Sequence, residues 1–577
     1  MAGSVRCVSL VTGLVVAAGA ADARAHGGTH PTPFPTGTPS SPSTPGGGSP
    51  AFTNSIRSTR WEDWWDLHRW RFLRVERRTP LLTGQGARAP FIETEAGKFL
   101  AEALKDPWWD TRAAACIAFG KGADPEDQKH LRPRVFDDKE DVRGAAMLGL
   151  GLLHADLRAV EVQRVLDDRE KEQAKLRAFA ALSLGFSRDA AAVVPLARRL
   201  LEPRDVDEVR AAAALALGTL GDAAAIPHLR RVLDNGNQPE VVRAMAVTAL
   251  GRLCAAGYER RVAGESSPWS DATDAAGRAA AALLDPDYVH EMLLRVLRGD
   301  RSDGVRRAAV LAIGRLGKPE DIAALIRAID DPDYGVEIFS LVTVGELAKG
   351  SAFADRLLGI LTQRATTAKY PGTRAFAALG LGLLGDRRAG PTLVQVLDHG
   401  KHNTLRAAGA IALGLLGWAE AERPLLATAS SRGDPELRGQ AVVALGMLRC
   451  ETAYLAFREM LASDKTPAAV RGAAAEALAL SGQPQDLESL GKLLAAGNSA
   501  WLRMSAIQAM GYLRDDAALR HLIAHYRRET DNEVRAMVVV AVGNIVARTL
   551  PHAFQDLARD VNYLLHAPGI EQAIRLR

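Results

Sequence analysis

The chain has 577 residues, 47% of them hydrophobic and 24% charged, and its 72 basic and 68 acidic side chains leave a net charge of +4. This is the balance of a core-forming protein with length enough for several domains. It lacks the one-sign charge concentration that replaces phosphate counterions, so nucleic acid is not the expected partner.

Residues 1–25 read as a secretory signal peptide. Arg6 supplies the positive end, Val8 to Ala21 the apolar core, and Ala23-Arg24-Ala25 a small-x-small cleavage site. The apolar run is shorter than the roughly 20 residues of a membrane span, and no other stretch reads as a span. The mature protein is therefore expected to be periplasmic or extracellular, to begin at His26 and to keep no membrane span. An uncleaved signal would instead make it an envelope-anchored assembly subunit.

Residues 26–57 are too rich in Pro, Gly, Ser and Thr to bury a core and read as a disordered linker. Residues 58–89 then open with TRWEDWWDLHRWRFL, which holds four of the nine tryptophans. Trp61, Trp64, Trp65, His68 and Phe72 fall on one helical face. The segment reads as a helix capping the first repeat beside Trp108 and Trp109, since a solenoid's end would otherwise expose an apolar side. The second reading is an aromatic anchor for a partner.

From residue 90 one pattern recurs through 90–255 and 286–550. An arginine stands at 112, 143, 177, 210, 243, 306, 374, 406, 438, 471, 503 and 535, and Glu337 takes the same place once. The twelve are Arg112, Arg143, Arg177, Arg210, Arg243, Arg306, Arg374, Arg406, Arg438, Arg471, Arg503 and Arg535. Eight residues on comes glycine in twelve of thirteen units, Ala479 being the exception. With the arginine as zero, apolar residues recur at −1, +3, +6, +7 and +10, a face of period 3.6. Each unit reads as a helical hairpin that cannot bury both its apolar stripes alone, so units must stack. The fold expected is an all-α solenoid of about thirteen hairpins. The arginines are expected to reach acids in the turns, such as Asp110, Asp141, Glu208 or Glu436, and so to tie layer to layer.

One step, from Arg243 to Arg306, is 63 residues long where the others are 31 to 37. Its extra residues, about 256–285, read as a degenerate unit with a surface loop at about 256–275, or as a bend between two lobes. Residues 551–577 read as a C-terminal cap.

The signature D/E-x-V/L-R-x-x-A…A-L-G-x-L-G, as in DEVRAAAALALGTLG, resembles the short HEAT-like repeats of the phycobilisome-lyase type, over about residues 90 to 550. The resemblance implies a right-handed α–α superhelix serving as a protein-binding scaffold. It also implies an alternative, because some relatives are bilin lyases or isomerases, namely a protein acting on a tetrapyrrole-like ligand.

The residues themselves mark out no catalytic constellation: HExxH, CxxC, a P-loop and GxSxG are all missing. His399 and His402 read as turn residues, and His521 and His525 as a helix-surface pair. Cys116, Cys254 and Cys450 read as small buried hydrophobes. No metal and no cofactor is expected. The +5 position is apolar in ten of thirteen units, with Thr248, Glu476 and Gln508 as exceptions. Leu311, Val342, Leu379, Ile411 and Val443 are consecutive there. They form the expected docking row for an amphipathic helix or extended peptide of a protein partner. The competing reading is a tight superhelix whose own neighbours bury the column.

Overall fold

In the computed structural model, residues 60–73, 90–157, 162–169, 172–262 and 285–548 are described. Among them no residue is in a β-strand. Thirteen inner helices carry the anchor positions, from Trp109–Gly122 to Asn532–Val546, and an outer helix precedes each one. Local sequence sets their ends. Asp434 and Ser499 cap inner helices by accepting N–H bonds from Leu437 and Leu502. Pro371 and Pro435 occupy first-turn positions, where a missing N–H costs nothing. At +11 the backbone turns left-handed, with glycine at 221, 317, 385, 417 and 482.

Inner helices touch each other along two positions. The glycine at +8 of one unit lies on the residue at +6 of the next, which is Gly, Ala, Ser or Thr throughout. A Cβ added at Gly185 would stand 2.7 Å from Ala216 Cα, and one at Gly446 would stand 2.9 Å from Ala477 Cα. Small residues on both sides thus bring adjacent backbones together, which offsets the roughly 1 kcal/mol that glycine costs inside a helix.

The arginine ladder is present, but its partners sit earlier than expected. Arg112 bonds Asp137 (2.7 Å), Arg143 bonds Glu172 (2.6 Å) and Arg177 grips Asp205 with two nitrogens (2.8 and 2.6 Å). Arg306 pairs with Asp331 (2.8 Å) and Arg503 with Glu529 (2.9 Å). Each of these acids stands five or six residues before the next anchor, not at the sites of Asp110, Asp141, Glu208 or Glu436. The guanidinium reaches past the helix's own first turn to the loop that precedes the next inner helix. Arg406 and Arg438 bond carbonyls at the end of their own outer helix instead. Where Glu337 replaces arginine, Arg364 of the following outer helix supplies the cation at 2.9 Å.

The two ends of the solenoid join. The last inner helix packs against the first as any inner helix packs against its successor. Gly543, at +8 of the last unit, lies on Ala118, at +6 of the first, with 2.6 Å from an added Cβ to Ala118 Cβ. The last anchor, Arg535, pairs with Asp106, six residues before the first anchor. Tyr526 donates to the same carboxylate at 2.5 Å, and Lys121 Nζ bonds Asn544 Oδ1 at 3.0 Å. Arg548 adds bonds to Asp124 and to the Gly122 carbonyl. The first unit occupies the place of a fourteenth, so the superhelix is a closed ring of thirteen units.

Closure alters two expectations. Among the described residues the two ends cover each other, where a free apolar side was expected at each; residues 551–577, read as a cap, lie outside the described residues. Among the described residues the long step sets no further inner helix between its two neighbours in the ring. Its inner helix, Glu240–Val262, continues into the start of the expected loop and packs directly on the next, Asp303–Leu316. Gly251 meets Ala312 and Arg243 pairs with Asp300 across this joint. The inserted residues 263–284 lie outside the described residues. One stretch, Glu240–Glu259, does reach the length and hydropathy of a membrane span, contrary to expectation; it is an inner helix with 78% of that window buried.

Candidate functional site

Helix geometry defines the face that looks into the ring. At about 100° per residue, +6 and +8 point to the two neighbours while 0, +3 and +7 point to the outer helix. Positions +5 and +9 are left for the inner wall. Apart from Thr248, Glu476 and Gln508, the +5 row is apolar; the +9 row mixes Leu383, Leu415 and Leu480 with Lys121, Arg252, Arg315 and Glu346.

The tryptophan segment sits on this wall. Trp61–His68 is an α-helix and Arg69–Arg71 one further 3-10 turn. Residues 74–78, expected to continue it, lie outside the described residues. Trp61, Trp64 and Trp65 are 2–4% exposed and Leu73 is fully buried. Trp64 stacks on His68 at 4.7 Å between ring centroids, and Trp65 on Phe72 at 6.0 Å. Arg69 pairs with Glu476, a +5 exception, and Arg71 with both oxygens of Glu346. The helix also touches the inner helix Pro371–Leu384. Burial would lower the Arg69 pKa, but Glu476, Tyr512 and Asp66 more than offset it and hold the guanidinium above its ordinary value. The segment is therefore not a cap on the first hairpin: it lies against the seventh, eighth and eleventh units, and Trp108 stays 49% exposed.

The expected docking row is not an open face. Val342 is 4% exposed, Leu379, Ile411 and Val443 are fully buried, and Leu311 alone is half-buried. Leu379→Lys should accordingly cost roughly 3–4 kcal/mol, because it places an unpaired charge in the core. A urea titration reads this, and an unshifted midpoint would return the row to the surface.

Outside the wall, a cluster of ionisable groups lies beside the long step. His290 Nε2 stands 2.7 Å from Asp321, Tyr258 donates to Asp287 at 2.6 Å, and Lys318 lies 3.7 Å over the Tyr258 ring. Burial raises the Asp321 pKa and pushes that of the nearby Cys254 thiol up to about 12, so no thiolate nucleophile is formed there. Cys116 and Cys450 are likewise buried and free, as expected. Of the expected helix-surface pair, His521 is exposed and His525 is half-buried, 3.0 Å from Glu529 just beyond its helix. Among the described residues no group of three His, Cys, Asp or Glu side chains could hold a metal. A cleft of about 640 Å³ opens at the seam, lined by Lys98, Glu102, Lys105, His130 and Arg535.

The model of HEAT repeats matches residues 164–251, 266–342 and 422–511, and that of the PBS lyase HEAT-like repeat matches 373–399. The chain is a HEAT-repeat protein. Among solved structures it is similar to human deoxyhypusine hydroxylase, with 21% identity over 56% of this chain and 96% of that one, at a TM-score of 0.22. The phycocyanin lyase complex CpcE–CpcF of Nostoc sp. PCC7120 shows 20% identity over 50% and 92%, with a TM-score of 0.26. Yeast importin-β shows 11% over 81% and 68%, with a TM-score of 0.40. No curated protein sequence matches. These HEAT-repeat likenesses carry no statement about activity.

Proposed function

We propose that this HEAT-repeat ring is an exported, non-catalytic scaffold that works by holding a protein segment on its inner wall. One observation carries the reading: the wall already holds an amphipathic helix, with tryptophans on apolar surface and Arg69 and Arg71 on Glu476 and Glu346. Apolar burial gives such a seat its affinity, and the paired charges fix orientation. Export rests on the signal pattern of residues 1–25, and amino-terminal sequencing of the exported protein should begin at His26. A photo-crosslinking residue at Leu311, the half-buried member of the row, should yield adducts to protein. The lyase-type reading has the match at 373–399 in its favour. A purified protein that is coloured or carries a tetrapyrrole, with no protein adduct from position 311, would replace the scaffold with that reading.

A further inference from the structure

We infer that the inner wall is a docking site for a helix of defined chemistry, aromatic along one face with two arginines at its carboxyl end, and that residues 61–71 occupy this seat in competition with such a partner. The inference rests on the scaffold reading and names the partner class it leaves open.

Charge complementarity is the first argument. Across all thirteen +5 and thirteen +9 positions the only carboxylates are Glu346 and Glu476. They stand four units apart in the ring, and a single short segment reaches both, through arginines two residues apart. The Glu476 side chain is 6% exposed with Arg69 seated on it, so the carboxylate in this otherwise apolar row is matched by a cation of the segment that covers it. The wall is thus built to receive a basic, aromatic helix.

The second argument is that the resident segment is poorly fitted to permanent residence. Its eight α-helical residues fall short of the roughly 12–15 that let a helix persist by itself. Arg60 gives it no side-chain cap. Trp61 and Trp65 bury their indole N–H groups without an acceptor, a cost that a helix with better-placed side chains avoids. Nor does connectivity demand this seat, which lies on units seven to eleven while the segment precedes unit one. Sixteen residues, 74–89, join Leu73 to Pro90, and at about 3.3–3.6 Å each they can span up to about 55 Å. The segment can therefore leave the wall while remaining tethered. An excluded-volume competitor of this kind lowers a partner's apparent affinity by the fraction of time that it holds the seat.

The test uses the full mature chain and a fluorescein-labelled peptide of residues 59–73. Arg69→Glu/Arg71→Glu releases the resident helix and leaves every wall residue intact. The released chain should bind the peptide at least tenfold more tightly than the native chain does. Adding Glu346→Gln/Glu476→Gln to the released chain should lower that affinity at least tenfold. Equal binding by native and released chains, no binding by the released chain, or indifference to the two glutamines overturns the inference. So does loss of helical signal on release, because the segment would then be core. None of these results bears on the adducts from position 311, so the scaffold reading stands or falls separately.

Discussion

Asp106→Ala combined with Gly543→Val should open the ring, seen as an increase in radius of gyration by small-angle scattering at nearly unchanged helix content. Asp106 is buried and accepts from Arg535, from the Tyr526 hydroxyl and from the Trp108 N–H. Removing it strands a partly buried guanidinium and a buried hydroxyl, a loss of about 3–5 kcal/mol. A valine at 543 adds the bulk of its side chain against Ala118, where even a Cβ stands at 2.6 Å, and overpacking of this kind costs about 1–3 kcal/mol more. The informative control is the same pair of changes inside the wall, Asp205→Ala with Gly185→Val. Those residues hold the third unit to the fourth through Arg177 and Ala216 in the same register. Melting should fall similarly in both variants. Only the seam variant should expand, because the chain itself links every other pair of neighbours. Indistinguishable scattering from the two would mean that the seam is not the joint that closes the ring.

Lys121 should make seam stability rise with pH. It lies 6% exposed on the last turn of the first inner helix, bonded to Asn544 across the seam. Burial lowers its pKa from 10.5 to about 7. Below pH 7 the lysine is charged in both folded and unfolded states, and the native ring bears the whole cost of burying the charge. A shift of this size corresponds to about 5 kcal/mol. Between about pH 7 and 10.5 the native side chain is neutral while the unfolded chain still binds a proton. Stability therefore climbs with pH by up to about 1.4 kcal/mol per unit. Lys121→Met should raise stability by several kcal/mol at pH 6 and converge on the native protein near pH 10. Urea titrations of both proteins across this range isolate the group from the tyrosines and cysteines that also titrate. Parallel curves at all pH values would show that Lys121 keeps its charge in the folded ring.

Much of the architecture is legible in the sequence, because it is local. The 3.6-residue period, the arginine register and the glycine eight residues later each report on one hairpin and its neighbour. The inner helices lie where the anchors placed them. The candidate site was half legible. Trp61, Trp64 and Trp65 read as a buried aromatic face, and they are buried; Glu476 stood out as a polar exception in an apolar row. That the tryptophans lie over the row containing that exception was not legible, since residues 69 and 476 are joined by no pattern in the chain. Arg71 and Glu346 were missed for the same reason.

By itself the sequence determined the secondary structure, the repeat, the close approach of inner helices and the ladder's cations, all set by side chains within one or two units of each other. Only the tertiary structure decided that the solenoid closes, that the +5 row is interior and that the amino-terminal helix sits on the inner wall. The physical reason is accumulation. Each interface contributes a small rotation fixed by how closely glycine at +8 meets the residue at +6, and the repeat pattern is the same whether the rotations sum to an open spiral or a full turn. One signal of closure was nevertheless present in the terminal units, which keep an interior pattern where free ends would be atypical. Asp106 stands six residues ahead of the first anchor, in the register of the ladder acids, and Gly543 follows the last anchor at +8 like the glycines of the interior units. Arg535 and Ala118 answer them, across the whole length of the chain.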